Sequence, residues 1–330
     1  MPLNKVISTG LLAQWAVEEI SRDYRLVVLQ DPSEEELTSA LQDDEVVALI
    51  ARSNKRITAR LIDTPPNLKV IARTGVGYDS IDVEAASRRG VPVLYTPGVL
   101  TRAVAEHAVA LILAAAKDLK GWHQRTLAGA WGERDIQLNR DLESSVLGII
   151  GFGRIGREVW RLLRSFDMIG LVNDPYLDPA GFTQACVRFV SLPELLNSSD
   201  IVTLHVPLNN ETRGLINRGN IDEFKPGTVL INTARGEVIE NQDILYEALE
   251  RGRLEQVMID TPLIEPPLPS DRLLHHPRAL FTPHNAGRTP RCQEKVLRTM
   301  LHDLKAVLSG GQPRPGNVVN PEVLKSRLEA

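Results

Sequence analysis

The feature that most constrains this chain is a six-residue segment, Gly151-Phe152-Gly153-Arg154-Ile155-Gly156. It continues the apolar run Val146-Leu147-Gly148-Ile149-Ile150 without a break. A helical stripe of Ile155, Val159, Leu163 and Phe166 follows it. Strand, glycine turn and helix in that order specify a βαβ unit. The first glycine permits the tight turn, and the second lets the backbone approach a pyrophosphate. The third lets helix and strand pack closely, with the helix N-terminus turned toward the anion. A lone G-x-G-x-x-G is weak evidence, so the next element matters. The run Ile169 to Asn173 ends against Asp174, 18 residues past the last glycine. That is close to the roughly 20 expected of the carboxylate that bonds ribose hydroxyls. A dinucleotide site on Gly151, Gly153, Gly156 and Asp174 is therefore expected. The charge of Asp174 would repel the extra phosphate of NADP, and Pro175-Tyr176 offers no arginine to receive it, which favours NAD. The structural alternative for Asp174 is an acidic turn residue before proline.

Around this unit, short β-branched runs alternate with helical stretches. The first series is Asn4 to Ser8, Arg25 to Leu29, Val46 to Ile50, Lys69 to Arg73 and Val91 to Leu94. The second is Val146 to Ile150, Ile169 to Asn173, Ile201 to His205, Thr228 to Asn232, Gln256 to Ile259 and Leu280 to Thr282. Alternation of this kind predicts parallel sheets in an α/β protein. Capping boxes are expected at Ser33/Glu36 and Ser191/Glu194. Length agrees, since 330 residues suggest about two domains at roughly 150 residues each. Two helices mark the junctions, one capped by Thr101 and one from about Arg291 to Leu308, stopped by Gly310-Gly311. The β-like stretch Asn317 to Asn320 suggests that the chain returns to the first unit. The expected division is residues 1–100 with 289–330 as one domain and 101–288 inserted within it.

Bulk composition excludes several classes. A net charge of −4 gives no footprint for nucleic acid or an anionic membrane. The longest apolar run, Ala108 to Ala116, falls short of the ~18 residues that cross a bilayer, and the first residues lack a signal-peptide core. Two distant cysteines, Cys186 and Cys292, suit a reducing compartment and form no metal cluster. A cytoplasmic protein without metal is expected.

Seven histidines are present, and most read as structural or solvated; His107 and His302 fall inside helical stretches. His205 ends a strand of the second unit, where a doubly wound sheet meets its ligand. His284, in Thr282-Pro283-His284-Asn285-Ala286-Gly287, follows another strand and is the best acid or base. Arg235, in Asn232-Thr233-Ala234-Arg235-Gly236, lies on the same rim and could fork onto a carboxylate, although spacing alone favours a surface arginine beside a turn. Asp260 ends a further strand with Glu265 five residues on. A glutamate bonded to an imidazole nitrogen fixes its tautomer and raises its pKa. Sequence pattern does not place Glu265 against His284.

With these residues in view, the chain resembles the D-isomer-specific 2-hydroxyacid dehydrogenases, the group that includes D-3-phosphoglycerate dehydrogenase and glyoxylate or hydroxypyruvate reductases. The likeness spans nearly the whole chain. It is carried by Arg73-Thr74-Gly75-Val76-Gly77-Tyr78-Asp79-Ser80-Ile81-Asp82, by Val104-Ala105-Glu106, by the glycine loop with Asp174, by Asn232 to Gly236 and by Thr282-Pro283-His284. The resemblance implies a Rossmann NAD-binding domain inserted into a flavodoxin-like substrate-binding domain, assembled as a homodimer. It implies that His284 is the acid/base, Glu265 its pKa-raising partner and Arg235 the clamp on the carboxylate of a small 2-hydroxy or 2-keto acid. Arg154 and Ile155 would contact pyrophosphate, while Thr233, Ala234 and Arg235 would line the nicotinamide end with Asp260, His205 and Gly287. Arg52, Ser53, Val76 and Gly77 would receive the substrate.

One segment departs from the family pattern. Where D-V-F-x-x-E-P is common, this chain reads Asp260-Thr261-Pro262-Leu263-Ile264-Glu265-Pro266, keeping the offset but losing the aromatic. The sequence ends at Ala330, so no further regulatory domain is expected. Two rivals remain at this stage. A dinucleotide-sensing corepressor could dispense with Arg235, Glu265 and His284, all of which are present. A formate dehydrogenase-like enzyme would pair its histidine with glutamine rather than Glu265.

Overall fold

The computed structural model describes residues 3–52, 55–135 and 138–324, so Ser53 lies outside the described residues. The chain forms two compact units, residues 1–100 with 290–330, and residues 101–289. The first unit begins with β1 (Lys5–Ser8), α1 (Gln14–Ser21), β2 (Arg25–Val28), α2 (Glu34–Leu41) and β3 (Val46–Ala51). It continues with α3 (Ala59–Asp63), β4 (Val70–Arg73), α4 (Val83–Arg88) and β5 (Val93–Leu94). The five strands are parallel in the order β2-β1-β3-β4-β5, the flavodoxin-like order. Strand periodicity divides the core into two layers. Ile7, Leu49, Ile71 and Val93 pack under Leu37, Leu41, Leu61 and Ile62, while Val6, Ala48, Ile50, Val70 and Ala72 face the other way. Both faces are covered, which is why β3 reads as the unbroken apolar run Val-Val-Ala-Leu-Ile-Ala. The Ser33/Glu36 capping box forms as expected, with Ser33 N–H donating to Glu36 Oε2 and Glu36 N–H to Ser33 Oγ.

The second unit carries α5 (Thr101–Ala116), α6 (Leu119–Leu127), β6 (Val146–Ile150), α7 (Arg154–Leu163), β7 (Ile169–Asn173), β8 (Val187–Phe189) and α8 (Leu192–Ser198). After these come β9 (Ile201–Leu204), β10 (Thr228–Asn232), α9 (Gln242–Glu250), β11 (Leu254–Ile259) and β12 (Ala279–Phe281). Its parallel sheet runs β12-β11-β10-β9-β6-β7-β8. Chain order reverses at β6, which pairs with β7 on one side and β9 on the other, the Rossmann arrangement with its ligand crevice at the carboxyl ends of the strands. Burying Val159, Trp160 and Leu163 of α7 against this sheet contributes about 1.5–3 kcal/mol per side chain.

Four local readings need revision. Strand β8, only three residues long, was not expected from the sequence pattern. Phe166 leaves the α7 stripe because the helix tightens into a 3₁₀ turn after Leu163, which leaves the ring exposed. At Ser191 only half a capping box forms: Glu194 N–H donates to Ser191 Oγ, but the Glu194 carboxylate turns to Arg188. Thr101 is itself the first residue of α5 rather than a cap before it.

The chain closes the first unit with α10 (Pro290–Leu308), whose Leu297, Met300, Leu301 and Leu304 complete the second layer of its core. Gly310 (φ 82°) ends α10 in a Schellman motif, with Gly311 N–H bonded to Ala306 O and Gly310 N–H to Val307 O. The tail then meets β5 in a single antiparallel bridge, Leu94 to Val318, rather than a full strand. Buried Asp303 anchors it, accepting from Arg314 Nε (2.9 Å) and Asn317 Nδ2 (2.6 Å). Burial alone would push the Asp303 carboxyl up, but these bonds hold it below the usual carboxylate range.

Candidate active site and cofactor cradle

Every candidate residue of the second unit follows the carboxyl end of a parallel strand. Gly151 follows β6, Asp174 β7, His205 β9, Thr233 to Arg235 β10, Asp260 β11 and His284 β12. The three loop glycines differ physically. Gly151 has φ 89°, and a Cβ there would lie 2.7 Å from His205 O. A Cβ on Gly156 would sit 2.2 Å from Gly151 O, which is the close helix-to-strand packing the motif requires. Around Gly153 nothing lies within 4 Å of a Cβ, so this glycine borders open space. Helix α7 begins directly there, its first internal bond running from Arg157 N–H to Gly153 O. The N–H groups of Arg154, Ile155 and Gly156 thus precede the helical ladder and point outward for an anion.

Asp174 closes the cradle. Its Oδ2 accepts from Phe152 N–H at 2.9 Å and its Oδ1 from Tyr176 N–H at 3.1 Å, which ties the acid to the glycine loop. An acceptor held by two backbone donors keeps lone pairs for ribose hydroxyls. The residues present therefore fit a dinucleotide. His205 bonds Thr203 Oγ1 through Nε2 (2.9 Å), and desolvation pushes its pKa down to about 3, so the ring is neutral at physiological pH.

The β10 turn is clamped by Asn232, a residue without an assigned role in the sequence reading. Its Oδ1 accepts from Ala234 N–H (3.0 Å) and its Nδ2 donates to Arg235 O (2.9 Å). A buried amide at a strand end was the available signal. Arg235 is half-buried, with one guanidinium nitrogen bonded to Ala234 O at 2.8 Å. Thr233 Oγ1 is buried with no hydrogen-bond partner among the described residues, as expected of a group awaiting a ligand. Gly236 admits the neighbouring loop: a Cβ there would lie 2.3 Å from Pro262 O and 2.6 Å from Leu263 N. The atypical segment between Asp260 and Glu265 is thus packed on the Arg235 turn by backbone rather than by an aromatic ring.

That segment delivers Glu265 to His284. His284 Nδ1 lies 2.8 and 3.0 Å from the two Glu265 oxygens, with side chains 34% and 27% exposed. The carboxylate fixes Nδ1 as donor and leaves Nε2 for a reacting oxygen. His284 is left-handed (φ 49°), an uncommon state for a residue with a Cβ. Asp260 over-determines it. This residue is fully buried; its backbone O accepts from His284 N–H (2.8 Å), its Oδ1 from Asn285 N–H and Thr282 Oγ1, and its Oδ2 from Ala286 N–H. Gly287 follows, half-buried.

In the first unit, Arg52 follows β3, where its backbone N–H and C=O both bond Thr9 Oγ1. One guanidinium nitrogen reaches Gln293 Oε1 at 3.4 Å. Val76 and Gly77 are half-buried in the loop after β4. Buried Arg73 steadies that loop, donating from Nε to Gly77 O (2.8 Å) and from a terminal nitrogen to Ala51 O.

Comparison with known proteins follows the same lines. The family described as D-isomer specific 2-hydroxyacid dehydrogenase, NAD binding domain, matches residues 109–286. The chain is 36% identical over 327 residues to a D-3-phosphoglycerate dehydrogenase of Archaeoglobus fulgidus, covering 98% of this chain and 61% of that protein. To a hydroxypyruvate reductase of Thermotoga maritima it is 36% identical, covering 82% of this chain and 90% of the relative. Among solved structures, a D-lactate dehydrogenase of Aquifex aeolicus complexed with NAD and lactic acid superposes with a TM-score of 0.87 at 28% identity, over 96% of this chain and 99% of that one.

Proposed function

The chain belongs to the D-isomer-specific 2-hydroxyacid dehydrogenases, and on that premise we propose that it is an NAD-dependent oxidoreductase interconverting a small D-2-hydroxy acid and its 2-keto acid. The observation that carries the reading is the His284–Glu265 contact at the carboxyl rim of a dinucleotide-binding sheet. When bound, NAD supplies or takes up the hydride at the substrate carbon. His284 Nε2 delivers the proton to the carbonyl oxygen in reduction and removes the hydroxyl proton in oxidation. Glu265 keeps the imidazole in the tautomer this requires. Arg235 binds the substrate carboxylate, holding the reacting carbon and polarising it. Gly151, Gly153, Arg154, Ile155, Gly156 and Asp174 hold the cofactor, with His205, Ala234, Asp260 and Gly287 along its path. The unpartnered Thr233 hydroxyl supports a ligand at that end. Residues 101–288 are the NAD-binding domain in this proposal, and the remainder binds substrate through Arg52, Ser53, Val76 and Gly77.

A homodimer assembled through the second unit is supported by the exposed apolar residues Leu119, Leu127, Trp131 and Leu138. Among the described residues no helix is long and apolar enough to cross a membrane. Neither cysteine is joined in a disulfide among the described residues, which supports a reducing compartment such as the cytoplasm. The test is NADH oxidation against glyoxylate, hydroxypyruvate, phosphohydroxypyruvate and pyruvate, alongside His284→Ala. Turnover of at least one keto acid, lost in the variant with NADH affinity retained, is expected. Tight NADH binding with no turnover of any would replace the dehydrogenase by a cofactor sensor.

A further inference from the structure

Helix α5 buries Ala103, Val104, Ala108, Leu111 and Ile112, while Arg102 and Glu106 pair at its surface. His107 breaks this division of labour. Its imidazole lies toward the buried side, 22% exposed, where an apolar residue would pack at no polar cost. Its Nε2 is 3.1 Å from Thr282 Oγ1 and 3.5 Å from Asp260 Oδ1. Thr282 Oγ1 in turn donates to Asp260 Oδ1 at 2.5 Å. A hydroxyl has one proton, so with that proton on the carboxylate it can only accept from His107. The result is a one-way chain, His107 Nε2–H to Thr282 Oγ1–H to Asp260, and His107 is the one basic side chain within 4 Å of that carboxylate among the described residues. The same carboxylate receives the N–H group of Asn285 on Oδ1 and that of Ala286 on Oδ2, which hold His284 in its left-handed turn.

We propose that His107 is a positioning residue: through Thr282 and Asp260 it sets the loop that presents His284 to the reacting oxygen. The inference rests on His284 as the proton-transferring group. A satisfied core histidine would matter for stability alone, whereas this chain fixes the orientation of a buried carboxylate whose three hydrogen bonds define the loop. Donation from Nε2 is the property that counts, so glutamine at this position should replace it and phenylalanine should not.

The experiment compares His107→Phe and His107→Gln by kcat at saturating NADH, on whichever of the four keto acids the parent reduces fastest, and by amide hydrogen exchange of Asn285 and Ala286. In His107→Phe, kcat should fall about tenfold or more, with NADH affinity within twofold, and the two amides should exchange about tenfold faster while the β6 and β9 amides keep their protection. In His107→Gln, both readouts should return to within threefold of the parent. Should His107→Phe not fold, Thr282→Val against Thr282→Ser reads the same link. Unchanged kcat and exchange in the Phe variant, or equal losses in the Phe and Gln variants, would overturn the proposal. His284→Ala separates the two readings: parental turnover there would remove the acid–base assignment, while amide exchange would still decide whether His107 holds the loop.

Discussion

Replacing Gly236 by alanine tests whether the Arg235 turn and the Glu265 loop act as one piece. Gly236 is not in the left-handed region, so the substitution acts through space alone. Its Cβ would lie 2.3 Å from Pro262 O and 2.6 Å from Leu263 Cα, against an ordinary contact near 3.5 Å. One backbone must therefore retreat by about 1 Å. Either Arg235, one residue away, or Glu265, two residues past Leu263, moves with it. A displacement of this size at a reacting geometry costs roughly a hundredfold in rate, equivalent to about 2.7 kcal/mol. Overpacking costs about 1–3 kcal/mol of stability, which for a unit of this size lowers Tm by about 2–10 °C. Initial rates at saturating NADH and keto acid should show the loss in kcat. Fluorescence titration should leave NADH affinity within twofold, since the glycine loop and Asp174 stand on other strands. Gly153→Ala is the complementary case: its Cβ meets nothing within 4 Å, so Tm should hold while NADH affinity falls at least tenfold. A Gly236→Ala enzyme with kcat within twofold of the parent would refute the coupling of the two loops.

Other outcomes follow from the same geometry. Glu265→Gln keeps an acceptor for His284 Nδ1 but removes its charge; a charge-assisted bond is about twice as strong as a neutral one, so kcat should drop about tenfold with little change in NADH affinity, and full activity would count against the pair. Asp174→Ala removes the acceptor held by Phe152 and Tyr176, and should weaken NADH more than NADPH in parallel titrations, narrowing their ratio; an unchanged ratio would dissociate Asp174 from cofactor choice. His205 has a folded pKa of about 3 against an ordinary 6.5, so the unfolded chain binds the extra proton between these values and stability falls as pH drops below 6.5. At pH 5 this amounts to about 2 kcal/mol. Urea unfolding at pH 7 and pH 5 should show a smaller loss in His205→Gln than in the parent, and equal losses would contradict the desolvation.

What the sequence reveals and what it hides divide by separation along the chain. The glycine cradle was legible because strand, turn, helix and acid are contiguous, and each glycine meets a backbone demand that local spacing expresses. The rim positions were legible too, since each follows a β-branched run. Contacts across loops were not. Glu265 and His284 are 19 residues apart with a proline-rich segment between them, and no periodicity encodes their meeting. His107 and Thr282 are 175 residues apart, and an imidazole on a helical stripe carries no mark of its partner. Short features also escape: β8 is three residues long, and the second bond of the Ser191 capping box loses to a nearby arginine.

The closure of the first unit by the tail has a consequence for how the protein is made. Leu94 and Val318 are bridged across 224 residues, and Leu297, Met300, Leu301 and Leu304 cover a face shared by Val70, Ala72 and Leu94. At roughly 5–20 residues per second, a ribosome needs about 10–45 seconds between these two points. For that interval, in which the contiguous second unit is itself synthesised, the nascent first unit shows a bare apolar face. Nascent chains arrested before residue 290 should accordingly be the species that chaperones hold and proteases cut.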